Sequence, residues 1–485
     1  MTTFRLDRCR RDFLRGCGAM GTVGLASAMS NLTLINAASA ACMPEPGNDY
    51  KALVCVFLFG GNDSTNLFVP TAAAPYNDYA AQRGNLALAR ADLLAHPIAP
   101  ANYSDPFNGS DFGMHPNLAD EFDGNAVVNL PGGAGSGFRG LFNEGKAALL
   151  AGVGTLVEPI ADRTAFYSSA TPPELFSHNS QQFQWQTGRP DSALKRGWGG
   201  RLADLVYCLN ESSAFSTSIS LAGFNTFQIG DAIAQYSLQP DGTPAGLEGP
   251  EFLTDLAREL LPGQRNWLGQ GYAEIKTRAL SNFDQLASVI GNAPEVPGTE
   301  RYPRSSLGQQ LRAVARMISV RNDLAVPLRR QIFFCAAGGW DTHAGQNEQH
   351  PRLIGDVSQA MTAFQRSMEQ LGLADSVTAF TASDFGRTFT SNGKGSDHGW
   401  AGNQLIVGGA VNGGEIYGAL PQLSLASELN IDDNRGSFIP TTSIEQYAAV
   451  LAHWFGVPVA NLADALPTLG RFDMPIGNPA LDFMS

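Results

Sequence analysis

The chain has 485 residues, a formal net charge of −13 and only 16% charged residues. The negative charge disfavours nucleic acid and anionic membrane surfaces as partners, and the low charge content argues against a disordered or coiled-coil chain. A hydrophobic fraction of 44% is ample for a large core, while 53 Gly and 28 Pro indicate many loops.

The first 40 residues predict an export signal. Arg10 and Arg11 precede a weakly apolar, Gly- and Ala-rich run that ends in the small residues Ala38–Ala40. This layout is typical of a bacterial twin-arginine signal, so the twin-arginine translocase is an expected partner during export. The run is too poor for a lasting membrane span. We expect a periplasmic or extracellular protein.

The cysteines beyond this signal predict little chemistry. Cys42 follows "SAA", but the Leu usual three positions before a lipoprotein cysteine is missing, which argues against a lipid anchor. Cys55 and Cys335 lie in apolar runs and are predicted to be small buried hydrophobic residues.

Apolar runs and helical periodicity alternate along the chain. The predicted strands lie in residues 52–63, 146–154, 216–223, 330–339, 375–383 and 403–409. The predicted helices span residues 305–320, 354–372 and 443–456; the first and third begin with a Ser cap, and the second and third end in Gly. This alternation predicts an α/β three-layer sandwich with a mostly parallel central sheet.

We expect one α/β domain over residues 48–475, followed by a tail at residues 476–485. Residues 71–145 are rich in Pro, Asn, Asp and Gly, and residues 235–300 have a mostly helical pattern. We interpret both regions as insertions over the edge of the sheet.

Polar side chains cluster where the predicted strands end or begin, and ligands of open α/β sheets bind beyond the carboxyl ends of the strands. The candidates are Asp63, Asn66, Asp341, His343, Asp384, Arg387, Asp397 and His398. Carboxylate oxygens and imidazole nitrogens bind Zn²⁺, Mn²⁺ or Fe, and carboxylates alone suit Mg²⁺ or Ca²⁺. The pattern therefore predicts a site for one of these divalent metals.

Structural alternatives exist for several of these residues. Asp63 could cap a helix, Asp384 could form an ion pair with Arg387 on the same turn, and His398 could be a turn residue.

Several motifs, taken in order, resemble the bacterial domain-of-unknown-function family 1501 from about residue 51 to residue 473. They are "FLFGGNDSTNLFVP", "MHPNL", "FSHNSQQFQWQTG", "GGWDTH", "SDFGRT", "NGKGSDHGW" and "PTTSIEQYAAVLAHWFGV". That family is grouped with the alkaline-phosphatase-like superfamily of phosphatases, sulfatases and cofactor-independent phosphoglycerate mutases. The resemblance implies an alkaline-phosphatase-like α/β fold with metals at the carboxyl ends of the strands.

The resemblance also implies roles for individual residues. Arg387 would bind a phosphate or sulfate oxygen through its fork of donors. Phosphatases often follow their later metal-binding Asp with His, whereas Phe385 stands here, so a full two-zinc centre is in doubt. The implied metal ligands are Asp63, Asp341, His343, Asp384 and His398.

The reacting group is expected where "SHNSQQFQWQTG" begins. In the superfamily the nucleophile starts a helix that ends in Thr-Gly, and here Thr187-Gly188 closes the motif. Ser177 could be the nucleophile, or it could only cap the helix. His178 could bind a metal or attack. Two further candidates are His115, which could also lie in a surface turn, and His350, for which we favour a structural role.

The leading hypothesis is an exported metal-dependent hydrolase of phosphate or sulfate esters, whose substrate is a small-molecule or glycan anionic ester. The alternative is an envelope protein of the same fold that binds a metal or an anionic glycan without turnover. The departures at Phe385 and at Ser177 and His178 favour this alternative.

Overall fold

The computed structural model describes residues 49–119, 137–210, 216–233, 235–243, 301–323 and 327–485, with a few residues between 288 and 298. The predicted export signal, with Arg10 and Arg11, lies outside the described residues, as does Cys42. Most of the predicted helical insertion at residues 235–300 also lies outside them.

The described strands form a central mixed sheet and a small antiparallel sheet. Their bounds are β1 (Lys51–Leu58), β2 (Phe68–Pro70), β3 (Pro97–Ile98), β4 (Phe112–Met114), β5 (Ala147–Gly154), β6 (Ser218–Ser220), β7 (Tyr236–Ser237), β8 (Arg330–Ala337), β9 (Val377–Ser383), β10 (Gly402–Gly408), β11 (Ile416–Gly418) and β12 (Thr442–Ser443). The central sheet has the order β11-β5-β10-β9-β1-β8-β6-β7, with β12 also paired to β5. The small sheet has the order β2-β4-β3.

The central sheet is mostly parallel, as the apolar runs predict. Strand β1 pairs in parallel with β8 on one side and β9 on the other, and Leu58 lies opposite both Ala337 and Ser383. Among the described strands of this sheet, only β10 is antiparallel to its neighbours, β5 and β9. The start of β10 therefore lies at the same edge as the ends of β1, β8 and β9.

Helices connect and cover the strands. They are α1 (Ala73–Arg83), α2 (Arg90–Ala95), α3 (Pro116–Ala119), α4 (Phe138–Asn143), α5 (Arg163–Phe166), α6 (His178–Thr187), α7 (Trp198–Val206), α8 (Ser306–Ser319), α9 (Gln346–Gln370), α10 (Ile444–Phe455) and α11 (Leu462–Ala465). Short 3₁₀ turns lie at Ser64–Asn66, Gly84–Leu86, Tyr207–Asn210, Ala374–Ser376, Val459–Asn461 and Leu469–Arg471.

The predicted helix caps are present. Ser305 accepts a hydrogen bond from the Gly308 N–H at the start of α8, and Ser443 forms a capping box with Gln446 at the start of α10. Such caps stabilise a helix by about 1 kcal/mol because they satisfy free N–H groups of its first turn. Helix α9 begins earlier than the periodicity predicts, at Gln346, and contains Pro351 in its first turns.

Helices on both faces of the sheet make the three layers. Alternate side chains of β1 enter different hydrophobic clusters, with Val54 on one face and Leu53 on the other. The first face packs against α8 and α9, and the second packs against α7 and α10. Fully burying one Val or Leu side chain contributes roughly 1.5–3 kcal/mol.

Cys55 and Cys335 are free and buried in these layers, as predicted. Cys208 is disulfide-bonded, which the spacing of the cysteines in the sequence does not predict. The predicted tail at residues 476–485 places Leu481 and Phe483 against the second hydrophobic cluster. In the part of the chain that the structure describes, no helix has the length and apolar character needed to cross a membrane.

Candidate metal centre

Four histidine and aspartate side chains meet at one edge of the sheet. Asp341 follows β8, and its carboxylate lies 3.5 Å from His178 Nε2, 3.1 Å from His343 Nε2 and 3.3 Å from His398 Nε2. The two atoms His343 Nε2 and His398 Nε2 are 2.9 Å apart. Potential ligand atoms of His178, Asp341 and His398 all lie within 4.8 Å of one another. We call His178, Asp341, His343 and His398 the acceptor cluster.

The other ring nitrogen of each histidine faces a hydrogen-bond acceptor. His178 Nδ1 lies 2.7 Å from the Asp384 carboxylate, and His343 Nδ1 lies 2.9 Å from the Asp397 carboxylate. His398 Nδ1 lies 2.7 Å from the backbone carbonyl of Phe176. In each ring Nδ1 lies closer to its acceptor than Nε2 lies to the Asp341 carboxylate, and this geometry favours the proton on Nδ1 in the neutral imidazole.

Every neutral imidazole of the acceptor cluster therefore presents a bare Nε2 lone pair to the others and to the Asp341 carboxylate. Acceptors at such distances repel one another unless a proton or a metal cation lies between them. An anchored Nδ1 and a free Nε2 are also typical of histidines that bind a metal. The donor set of His178, Asp341 and His398 thus fits a divalent metal, and His343 Nε2 lies beside two members of this set, Asp341 and His398.

Asp384 binds His178 through Nδ1, whereas His178 Nε2 faces Asp341. It is fully buried, and its Oδ2 also accepts hydrogen bonds from Gln182 Nε2 at 2.8 Å and from the Gly60 N–H at 3.2 Å. Burial raises the pKa of Asp384, although its donors, Gln182 and His178, oppose this rise. The Asp384 Oδ2 is thus the partner of His178, while its buried Oδ1 has no hydrogen-bond partner among the described residues. The direct metal-binding role that the resemblance implies for Asp384 stays a prediction.

Arg387 holds Asp341 in place. Its side chain is fully buried, and its Nη1 donates to Asp341 Oδ1 at 2.7 Å and to the Gly60 carbonyl at 3.0 Å. Its Nη2 donates to the Ser396 carbonyl. Partial burial opposes ionisation of Asp341, but the hydrogen bond and charge of Arg387 prevail and lower its pKa. The Arg387 guanidinium thus binds Asp341 and two backbone carbonyls. It does not form the ion pair with Asp384 that the sequence allows.

Asp397 connects the acceptor cluster to the protein surface. One of its oxygens faces His343 Nδ1 and accepts from Asn392 Nδ2 at 3.1 Å, and the other lies 3.2 Å from Arg435 Nη1. Desolvation acts to raise the pKa of Asp397, but hydrogen bonds from Asn392 and His343 lower it below its ordinary value.

Asp63 and Asn66 belong to a buried polar network under the small sheet. The Asp63 carboxylate is fully buried and binds Arg83 and Gln346 through Oδ2. Asn66 accepts from Tyr79 Oη at 2.9 Å. Asp63 precedes the first 3₁₀ turn but makes no capping hydrogen bond with its side chain. Asp63 Oδ2 thus takes part in an ion pair with Arg83, while the buried Oδ1 has no hydrogen-bond partner among the described residues. The metal-binding role that the resemblance implies for Asp63 stays a prediction.

His115 and His350 form a buried pair beside this network. His350 Nε2 lies 2.9 Å from Asn62 Oδ1, and the two imidazole rings are edge to face with centroids 6.4 Å apart. Burial lowers the pKa of His115 to about 3 and that of His350 to about 4. For His350 this placement agrees with the favoured structural role, and His115 is buried rather than in a surface turn.

The segment before α6 has unusual backbone geometry. Glu174 and Phe176 have φ angles of 50° and 77°, which L-residues adopt at a cost of about 1–3 kcal/mol. This geometry accompanies the hydrogen bond between the Phe176 carbonyl and His398. Ser177 follows as the N-cap residue, and its side chain caps no N–H. His178 is the first residue of α6, which points its ring toward Asp384 and Asp341.

Phe385 forms an apolar wall beside the acceptor cluster. Its buried ring has its centroid 5.0 Å from the His178 ring and 4.5 Å from the His398 ring. The phenyl ring of Phe385 has no atom that can coordinate a metal. A second ion at this position would therefore lack the imidazole nitrogen that a His would provide. This arrangement favours a single metal.

A cavity of about 300 Å³ opens beside the acceptor cluster, on the side of His343 and His398. Its lining residues are Phe176, His343, Asp397, His398, Asp432, Arg435 and Ser437. Arg435 is not among the residues predicted from the sequence, because it lies in an irregular segment that follows no predicted strand.

The molecule is thus a mixed α/β protein with a mostly parallel central sheet and a candidate metal centre where its strands end. The model of the family described as "Protein of unknown function (DUF1501)" matches residues 298–434. This match supports the resemblance to that family over a stretch that includes Asp341, His343 and His398.

Comparison with curated proteins found no match. Among solved structures, the crystal structure of Ps i-CgsB is similar over 88% of this chain and 78% of that chain, with a TM-score of 0.35 and 10% identity. The structure titled "Ps i-CgsB in complex with k-i-k-neocarrahexaose" covers 87% and 76%, with a TM-score of 0.34 and 10% identity. Similarity at these scores does not define the finer fold class.

Proposed function

We propose that this protein is an exported metal-dependent hydrolase of phosphate or sulfate esters of small molecules or glycans. The observation that carries the proposal is the convergence of three anchored imidazoles on Asp341 at the carboxyl edge of the sheet. His178, Asp341, His343 and His398 would hold one divalent metal. When bound, such a metal polarises an ester and stabilises the negative charge that develops on the transferred group.

The donor set favours some metals over others. Three imidazole nitrogens and one carboxylate suit Zn²⁺ or Mn²⁺, whereas Mg²⁺ and Ca²⁺ prefer ligand sets made of oxygen. We therefore narrow the proposed metal to Zn²⁺ or Mn²⁺.

The surrounding residues would keep the site in its binding geometry. Asp384, Asp397 and the Phe176 carbonyl fix the three imidazole tautomers. Arg387 holds Asp341 Oδ1 through a hydrogen bond of 2.7 Å and lowers the pKa of this carboxyl. Phe385 places a buried apolar ring against one side of the acceptor cluster. The cavity on the other side would admit the ester.

The finer fold class and the location are part of the same proposal. A mostly parallel sheet with polar side chains at its carboxyl edge supports an alkaline-phosphatase-like fold. The twin-arginine pattern supports export to the periplasm or beyond, and the disulfide at Cys208 agrees with an oxidising compartment.

Metal analysis and enzyme assays test the proposal. Purified wild type should hold about one Zn²⁺ or Mn²⁺ per chain by elemental analysis and should hydrolyse an aryl phosphate or an aryl sulfate. Asp341→Ala removes the one carboxylate of the acceptor cluster, so metal content and activity should both fall at least tenfold.

Asp323→Asn is the matched control, because this exposed carboxylate lies in the turn after α8. It should behave as wild type. Full metal content and full activity in Asp341→Ala would refute the assignment of the site.

The second candidate is a protein that binds a metal or an anionic glycan without turnover. It is favoured by the Ser177 side chain, which makes no capping bond and is not placed as a nucleophile by any contact seen among the described residues. A wild type that holds its metal, binds an anionic glycan and hydrolyses no ester in a broad screen would favour this candidate over the hydrolase.

A further inference from the structure

Arg435 is the exposed cation of the cavity beside the acceptor cluster. Its side chain is 60% exposed, and its Nη1 lies 3.2 Å from Asp397 Oδ2. Unlike buried Arg387, it has donors free to meet a ligand from solvent. It is also connected to the acceptor cluster, because the same Asp397 side chain anchors His343.

The backbone holds Arg435 at this position. Its N–H donates to Asp432 Oδ1 at 3.2 Å, and its carbonyl accepts from the Thr390 N–H at 2.8 Å. Gly436 follows with a φ of 74°, and a Cβ there would lie 2.7 Å from Phe389 Cβ. The turn is therefore fixed against the loop after β9, which limits where the guanidinium can reach.

A second feature of the cavity points to a ligand. Ser437 is 3% exposed and lines the cavity, and its hydroxyl has no hydrogen-bond partner among the described residues. A buried hydroxyl without a partner costs free energy. A ligand oxygen beside Arg435 would satisfy it.

The charges of the site limit what the ligand can be. Four carboxylates surround the acceptor cluster and the cavity, and only two arginines oppose them. Even with one divalent cation, these groups leave no surplus positive charge. Each additional negative charge on a ligand would face Asp397 and Asp432 at the cavity wall. The carboxylates are those of Asp341, Asp384, Asp397 and Asp432, and the arginines are Arg387 and Arg435.

We propose that this cavity selects an ester with a single negative charge and that Arg435 binds its anionic oxygen. Sulfate monoesters and phosphate diesters share this chemistry, whereas phosphate monoesters carry two charges at alkaline pH. The inference rests on the proposed metal-dependent hydrolase, because the reacting group must lie between Arg435 and the acceptor cluster.

Binding of two probes that are not hydrolysed tests the selection without any turnover. Benzenesulfonate carries one negative charge and phenylphosphonate carries two at pH 8.5, on the same phenyl ring. By calorimetric titration of the Zn²⁺-loaded full chain, benzenesulfonate should bind at least about tenfold more tightly. Tighter binding of phenylphosphonate, or no binding of either probe, would overturn the proposed selection.

Substitution of Arg435 tests its role. Arg435→Gln should weaken benzenesulfonate binding at least about tenfold, and Arg435→Lys should restore part of it because the charge returns. Metal content should stay at the wild-type value in both variants. An unchanged affinity for benzenesulfonate in Arg435→Gln would remove Arg435 from the site.

Arg163→Gln is the matched control, because Arg163 forms a similar surface ion pair with Asp433 but does not line the cavity. It should bind benzenesulfonate as wild type does, and an equal loss in both variants would also overturn the role of Arg435.

Kinetics then distinguish the two proposals and the two ester types. Nitrophenyl sulfate, bis-nitrophenyl phosphate and nitrophenyl phosphate share a leaving group, and the first two should give the higher kcat/KM. The faster of the two identifies the ester type. Selective binding of benzenesulfonate without hydrolysis of any ester would sustain the cavity assignment and refute the hydrolase. If nitrophenyl phosphate were hydrolysed faster than the other two esters, the hydrolase would be supported and the selection of a single negative charge would be overturned.

Discussion

At the scale of single residues, the site depends on which nitrogen of each imidazole carries the proton. Asp384, Asp397 and the Phe176 carbonyl each bind one Nδ1–H and so free the opposite Nε2. Such partners orient a ligand and raise its basicity, and their loss typically costs 10–100-fold in metal affinity.

Asp384→Asn tests this function. The amide removes the negative charge behind His178 and leaves a weaker acceptor for its Nδ1–H. Affinity for Zn²⁺ should therefore fall roughly 10–100-fold, measured by competition with a chromophoric chelator. The fold should persist because the change is isosteric.

Asp323→Asn, with its exposed carboxylate, should leave the affinity unchanged. A wild-type affinity in Asp384→Asn would show that the carboxylate does not act through His178.

At the scale of elements, the turn after β1 brings the site together. Gly60 has a φ of 122°, and a Cβ there would lie 2.3 Å from the Asp341 backbone N. Its N–H donates to Asp384 and its carbonyl accepts from Arg387. The backbone at Gly60 thus connects the loops that follow β8 and β9, which are the neighbours of β1 in the sheet.

Gly60→Ala should displace the loop that carries Asp341. We expect a loss of about 1–3 kcal/mol in the free energy of unfolding from backbone strain alone. Metal affinity should also fall at least tenfold, because Asp341 and Asp384 both depend on this turn. Chemical denaturation and chelator competition measure the two effects.

Gly223→Ala is the control that introduces backbone strain without displacing the loop that carries Asp341. Gly223 has a φ of 73°, and among the described residues no atom would lie within 4 Å of a Cβ at this position. Some stability should be lost, but metal affinity should be retained. Equal affinities in the two alanine variants would contradict the proposed function of the turn.

At the scale of the whole molecule, Glu445 makes stability depend on pH. It lies in the first turn of α10, is fully buried, and accepts from Thr468 Oγ1 at 2.8 Å. Burial raises the pKa of Glu445 from 4.5 to about 7, although the Thr468 hydrogen bond opposes the rise. The folded protein therefore holds a proton that the unfolded chain has released between these two pH values.

Stability should accordingly fall as pH rises from about 4.5 to 7, by up to about 3 kcal/mol from this group. Glu445→Gln cannot ionise, so its stability relative to wild type should improve by a similar amount over that interval. Urea denaturation at a series of pH values measures the difference.

Glu428→Gln removes an exposed carboxylate and should leave the shape of the pH profile unchanged. A difference between Glu445→Gln and wild type that does not vary with pH would show that Glu445 stays ionised in the fold.

Sequence patterns anticipated the elements better than the contacts of the site. Continuous apolar runs located β1, β5, β8, β9 and β10, because strands buried on both faces require them. The polar residues near the ends and starts of the predicted strands include Asp341, His343 and His398, and the structure brings these three together. The pattern did not predict which of these residues contact one another, so the pairing of Asp384 with His178 and of Asp397 with His343 is evident only from the structure.

The sequence by itself determined the alternation of strands and helices, the caps, the buried cysteines and the family resemblance, because these depend on local composition and spacing. Only the tertiary structure decided that Asp63 binds Arg83, that Arg387 is buried on Asp341, and that Arg435 lines the cavity. The reason is physical: these contacts join residues far apart in the chain, and burial and neighbouring charge exist only once the strands are side by side.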